Sequence, residues 1–115
     1  MITQKRINIP IFSYRLTIII FDEWEELTGL IPKHIYDDCY GSRGVASDNG
    51  CSGIICVGSQ FGSTIPHECE HVKNYIWNFI GYTPSADNDE VDAYLLTYLY
   101  EKVTDVWYKH KDKKN

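Results

Sequence analysis

The chain has 115 residues, enough for one domain that buries roughly two-thirds of the surface its unfolded form exposes. Its composition is 43% hydrophobic, and 16 acidic side chains against 11 basic ones leave a net charge of -5. That balance excludes extended disorder and argues against a nucleic-acid binder working through a broad basic face.

The longest apolar run, residues 16–21, is far short of the about 20 residues that span a membrane. The opening MITQKRINIP has no apolar signal core, so no secretion and no membrane association are expected. Cys39, Cys51, Cys56 and Cys69 contain no C-x-x-C pair and are expected to be free thiols in a reducing compartment.

In chain order, residues 7–14, interrupted by Pro10, read as an edge strand or the lead-in to one. Residues 15–21 (RLTIIIF) are β-branched and continuous, the mark of a strand buried on both faces. Asp22 fits an N-cap before a short helix, EWEELTG, closed by Gly29. Residues 30–50 carry little periodicity, and YGSRGVASDNG is turn-rich, expected to be a long loop or hairpin connection. Residues 52–57 (SGIICV) read as another strand.

Two helices follow. The first has Pro66 in its opening turn, Ser63 or Thr64 as cap candidates, and ends near Ile80 at Gly81. The second starts within residues 87–90 (DNDE), whose acids suit a helix N-terminus. It continues with Val91, Leu95, Tyr98, Leu99, Val103, Val106 and Trp107 at helical spacing. Strands followed by helices imply an α+β domain over residues 1–110, a short mixed or antiparallel sheet packed on these two helices. The tail KHKDKKN, with His110, reads as a solvated, frayed end, and residues 111–115 as a charged appendage.

Chemistry concentrates at His67-Glu68-Cys69-Glu70-His71, an H-E-x-x-H sequence in the first turns of the first long helix. Side chains at i and i+4 share a helix face, so both imidazoles can reach one cation, and zinc accepts imidazole nitrogen at about 2.0–2.1 Å. With His67 at zero and about 100° per residue, His71 falls near 40°, Glu68 near 100° and Glu70 near 300°. The apolar residues Val72, Tyr75, Ile76, Phe79 and Ile80 fall between roughly 80° and 220°. Glu68 therefore lies between the histidine face and the core and is the general-base candidate, whereas Glu70 faces water. Cys69 faces the core as an inert thiol, Asn74 and Asn78 extend the histidine stripe, and Trp77 projects near 280°, toward solvent or another element. His34, close to Asp37, Asp38 and Cys39, has no spacing that favours a metal site.

Catalytic zinc needs a third protein ligand and an open position. Glu90 is the leading candidate, at the start of a last helix that a connection through Gly81 and Pro84 lets fold back, with Asp87 and Asp89 as rivals. Tyr94, one turn beyond Glu90, is a candidate donor to a developing oxyanion or else a packing aromatic.

HECEH, a helix ending at Gly81, and then NDEVDAYLLTYLY together resemble the zincin metallopeptidases of the glutamate-ligand type. More narrowly they resemble small zinc peptidases encoded by tailed phages, which pair an H-E-x-x-H helix with a later E-x-x-A-Y-L segment, here Glu90, Ala93, Tyr94 and Leu95. The resemblance covers about residues 52–100. It implies zinc on His67, His71 and Glu90, with Glu68 as base, a peptide or protein substrate, and a location in the host cytoplasm. It also suggests residues 52–57 as the edge strand that pairs with extended substrate. The chain departs from the larger family members in two ways: Tyr94 stands where they carry a bracing aspartate, and it lacks their second lobe. A non-catalytic, zinc-stabilised structural or host-interaction protein of a phage is the alternative expectation.

Overall fold

Eight residues of antiparallel pairing begin the fold. The computed structural model describes residues 1–87 and 89–113. Strand β1 (Ile2–Ile9) pairs antiparallel with β2 (Tyr14–Phe21), from Ile2 opposite Phe21 to Ile9 opposite Tyr14. A 3-10 turn (Trp24–Leu27) and a short helix α1 (Lys33–Cys39) lead to β3 (Gly44–Asp48) and β4 (Ser52–Gly58). β4 lies parallel to β2 and antiparallel to β3, so the mixed sheet has the order β1-β2-β4-β3. Helices α2 (Ile65–Ile80) and α3 (Glu90–Lys113) complete an α+β domain.

The two faces of β2 explain the apolar run at its end, Ile18 to Phe21. Tyr14, Leu16, Ile18 and Ile20 pack with Ile76, Leu99, Val103 and Val106 of α2 and α3 in the main core. Ile19 and Phe21 point the other way, into a second cluster with Trp24, Leu27, Ile31, Val45 and Cys56. From Ile18 to Phe21 neither face is left to water, so period-two alternation disappears there, whereas Arg15 is exposed and Thr17 half-buried.

Helix α2 starts with Pro66 in its first turn, where no intrahelical N–H is lost; Thr64 holds the cap position but makes no side-chain cap bond. It closes at Gly81, whose φ of 74° is the left-handed conformation that glycine adopts without strain. α3 then runs back along α2. Near its start Asp92 accepts hydrogen bonds from Lys73 Nζ (2.8 Å) and Trp77 Nε1 (2.6 Å). Near its end the Trp107 ring lies against Gly62, where an added Cβ would sit 2.9 Å from the indole.

Several sequence expectations change here. The strand expected within residues 7–14 is a full hairpin strand that starts at Ile2. The N-cap of the 3-10 turn is Glu23, in a capping box with Glu26, rather than Asp22. Asp22 instead joins a cluster with Ser59 and His110. The turn-rich stretch before residue 50 contains β3 and makes the sheet edge, while β4 lies between β2 and β3 and cannot be an edge strand. Trp77 is buried at 3% exposure under α3. The tail is helical through Lys113, and His110 is 0% exposed, bonded to Thr3 Oγ1 (2.8 Å) and Asp22 Oδ1 (2.9 Å). Residues 114–115 and Asn88 lie outside the described residues. The four cysteines are free thiols. No helix among the described residues is long and apolar enough to cross a membrane.

Candidate metal centre

The amphipathic register of α2 decides what its first two turns present. Cys69, Val72 and Ile76 anchor the helix in the core, which leaves the stripe on the opposite side, His67 and His71, exposed to solvent. One turn apart, the two rings meet edge-on with centroids 4.9 Å apart. Their Nε2 atoms stand 3.3 Å from each other. Two nitrogens held about 2.0–2.1 Å from one tetrahedral zinc ion are separated by roughly 3.3–3.4 Å. The pair thus already matches one edge of such a coordination sphere, and imidazole nitrogen is the donor that zinc favours. Together with Glu68 the pair could hold a metal ion.

Glu68 completes a compact group in which one ligand atom from each of His67, Glu68 and His71 lies within 4.8 Å of the others. It differs from its neighbours in burial, at 6% exposure. Desolvation holds its carboxyl above the usual carboxylate range, against the opposing pull of His67 and His71. A carboxylate so placed binds a proton more readily than one in water, as a base beside a reacting water requires. Glu70, by contrast, is half exposed and forms an ion pair with Lys73 at 2.8 Å. The Cys69 thiol faces the core, where burial, and then the Glu68 charge, pushes it up to about 12, so it carries no thiolate chemistry.

One wall of the site comes from the turn-rich segment that leads into β3. A cavity of about 410 Å³ lies between the start of β3 and the first turn of α2, lined by Ser42, Arg43, Gly44, Ser63, Thr64, His67 and Glu68. The indole of Trp24 donates to the Ser42 carbonyl at 2.6 Å, and Gly58 N–H donates to the Arg43 carbonyl at 2.9 Å. Both bonds fix the segment that leads into β3. Arg43 extends over the ring of Phe61, 5.5 Å from its centroid. Gly44 admits the close approach: a Cβ there would meet Cys56 O at 2.9 Å, Glu68 Cγ at 3.1 Å and Thr64 Cγ2 at 3.1 Å. The Tyr75 hydroxyl, one turn beyond His71, donates to the Ala46 carbonyl at 3.2 Å and ties this edge strand to the helix.

The carboxylates expected from the start of α3 do not join the group. Asp92 faces α2 at Lys73 and Trp77, which sit about 100–140° around that helix from the histidine stripe. Glu90, two residues earlier, points about 200° away from Asp92 around α3 and is exposed. Asp87 and Asp89 are exposed and also outside the group. Tyr94 is 69% exposed. Thus the structure brings together His67, Glu68 and His71, and leaves Glu90 and Tyr94 apart from them. No signal in the sequence points to Arg43 or Gly44, because their place depends on how β3 docks against α2.

Searches with family models, among curated proteins and among solved structures found no match to this chain.

Proposed function

We propose that the protein is a zinc-dependent metallopeptidase with His67 and His71 as nitrogen ligands and Glu68 as general base. The observation that carries this reading is the 3.3 Å separation of the two Nε2 atoms beside a buried carboxylate. When bound, zinc polarises a carbonyl and lowers the pKa of a water molecule. Glu68 takes the proton of the attacking water and passes it to the leaving nitrogen, at a position that desolvation has made more basic. The exposed edge of β3, which begins at the mouth of the cavity, receives extended substrate by strand addition.

The test is metal content and turnover on the same set of variants. Purified protein is expected to hold about one zinc per chain and to cleave a peptide library in a chelator-sensitive way. Glu68→Gln should keep the metal and lose cleavage by roughly 10²-fold or more, while His71→Ala loses both. A Glu68→Gln protein that cleaves at the wild-type rate overturns the reading.

A further inference from the structure

The sheet face turned away from α2 and α3 is only half covered. Trp24, Leu27 and Ile31 close over Ile19 and Phe21, at the far end of β2. Nothing among the described residues closes over its first half. There the register sets Arg6 opposite Thr17, Asn8 opposite Arg15, and Arg15 opposite Ser52 on the other neighbour, all on one side of the pleat. Together with Ser13 they line a cavity of about 680 Å³, within the range of small-molecule sites.

Three observations give this hollow a chemistry. Acidic residues outnumber basic ones 16 to 11 in the chain, yet neither Arg6 nor Arg15 has a hydrogen bond or ion pair among the described residues. Two planar guanidinium groups on adjacent, paired strands offer forked N–H donors suited to a phosphate or carboxylate. The remaining polar contacts, three hydroxyls and an amide, suit a hydroxylated rather than an apolar body. Ser13 reaches the rim from a turn in which it (φ 54°) and Ile11 (φ 74°) both adopt left-handed backbone, a strained conformation for residues other than glycine. The volume exceeds what a bare phosphate fills and leaves room for such a body.

We infer that this face binds a soluble phosphate monoester of a small polar molecule, with Arg6 and Arg15 gripping the phosphoryl oxygens and Ser13, Thr17, Ser52 and Asn8 holding the remainder. The site lies on the other side of the sheet from the histidine pair and does not depend on the metallopeptidase reading.

The experiment is titration of isotope-labelled protein with glycerol 3-phosphate, in the presence of chelator, followed by backbone amide shifts. Saturable shifts are expected at residues 6, 8, 15, 17 and 52, and none at 67 or 71. Glycerol alone should produce none. Arg15→Gln should weaken binding roughly ten-fold or more, the Arg6→Gln/Arg15→Gln pair should abolish it, and Arg6→Lys/Arg15→Lys should restore part of it. His71→Ala should bind as wild type. Both arginines are exposed, so amide spectra away from the patch should be unchanged in every arginine variant. Absence of saturable shifts at millimolar ligand, equal binding by the double glutamine variant, or binding only to vesicles that contain phosphatidic acid would each overturn the inference.

Discussion

Gly44 has no side chain to lose, and the site depends on that. Its α-carbon faces Glu68 across a gap that a methyl group would fill at 3.1 Å, with the Cys56 carbonyl nearer still at 2.9 Å. The carbonyl belongs to a paired strand and cannot yield as a flexible side chain would. Gly44→Ala is therefore expected to displace β3 from α2 and open Glu68 to water. Overpacking of this kind costs about 1–3 kcal/mol, readable as a lower Tm in thermal unfolding. Activity should fall further than stability does, because the exposed carboxyl would return toward its ordinary acidity and lose basicity. A Gly44→Ala protein with wild-type Tm and turnover would show that β3 does not shape the site.

The elements differ in how much of themselves they displayed in advance. β2 was legible because both faces of its second half, Ile18 to Phe21, are buried and that half is apolar without a break, although its first half leaves Arg15 exposed. α2 and α3 were legible because helical periodicity survives wherever one stripe faces a core; the H-E-x-x-H motif came with α2 for the same reason. β3 was not legible: GVASD is short, lies at a sheet edge and mixes small and polar residues, so it matches a turn as well as a strand. Nor could any local pattern say that β4 would pair parallel to β2 and lie inside the sheet, since that pairing joins residues nearly forty positions apart. His110 was misread because its neighbours Lys109, Lys111 and Lys113 are charged, while its own side chain turns inward to Thr3 and Asp22.

At its start α3 is tied to α2 by the Asp92 carboxylate, beside the buried Leu95. Burial alone would raise the Asp92 carboxyl, but the Lys73 ammonium and the Trp77 indole N–H outweigh it and hold the group below the usual carboxylate range. The folded-state pKa is therefore lower than the unfolded one, near 3.9. The stabilisation is present above the unfolded value and is lost as pH falls through the folded value. Asp92→Asn is expected to cost about 1–3 kcal/mol at neutral pH, because it leaves the buried Lys73 with only the half-exposed Glu70. Its stability should also change less than wild type between about pH 5 and pH 2. Denaturant midpoints measured across that range decide it, and parallel acid limbs for the two proteins would remove Asp92 from its role as a latch.

At the scale of the molecule, the question is whether a metal serves the fold or only the surface. The main core joins β1, β2 and β4 to both long helices through sixteen buried residues, and neither His67 nor His71 is among them. Both rings sit outside, on the one stripe of α2 that the core does not use. A structural zinc ion replaces a core that is too small, and its ligands tie together segments that would otherwise separate. Here the two nitrogen ligands lie one turn apart on a single helix that the sheet already holds. Chelation should therefore leave a cooperatively folded chain. The loss is limited to the binding term, about 2.7 kcal/mol where free metal stands at a hundred times its dissociation constant. Calorimetry with and without chelator is expected to show one transition in both cases, shifted by roughly ten degrees or less. A chain that loses its transition on chelation would instead make the ion part of the fold, as the non-catalytic phage-component reading requires.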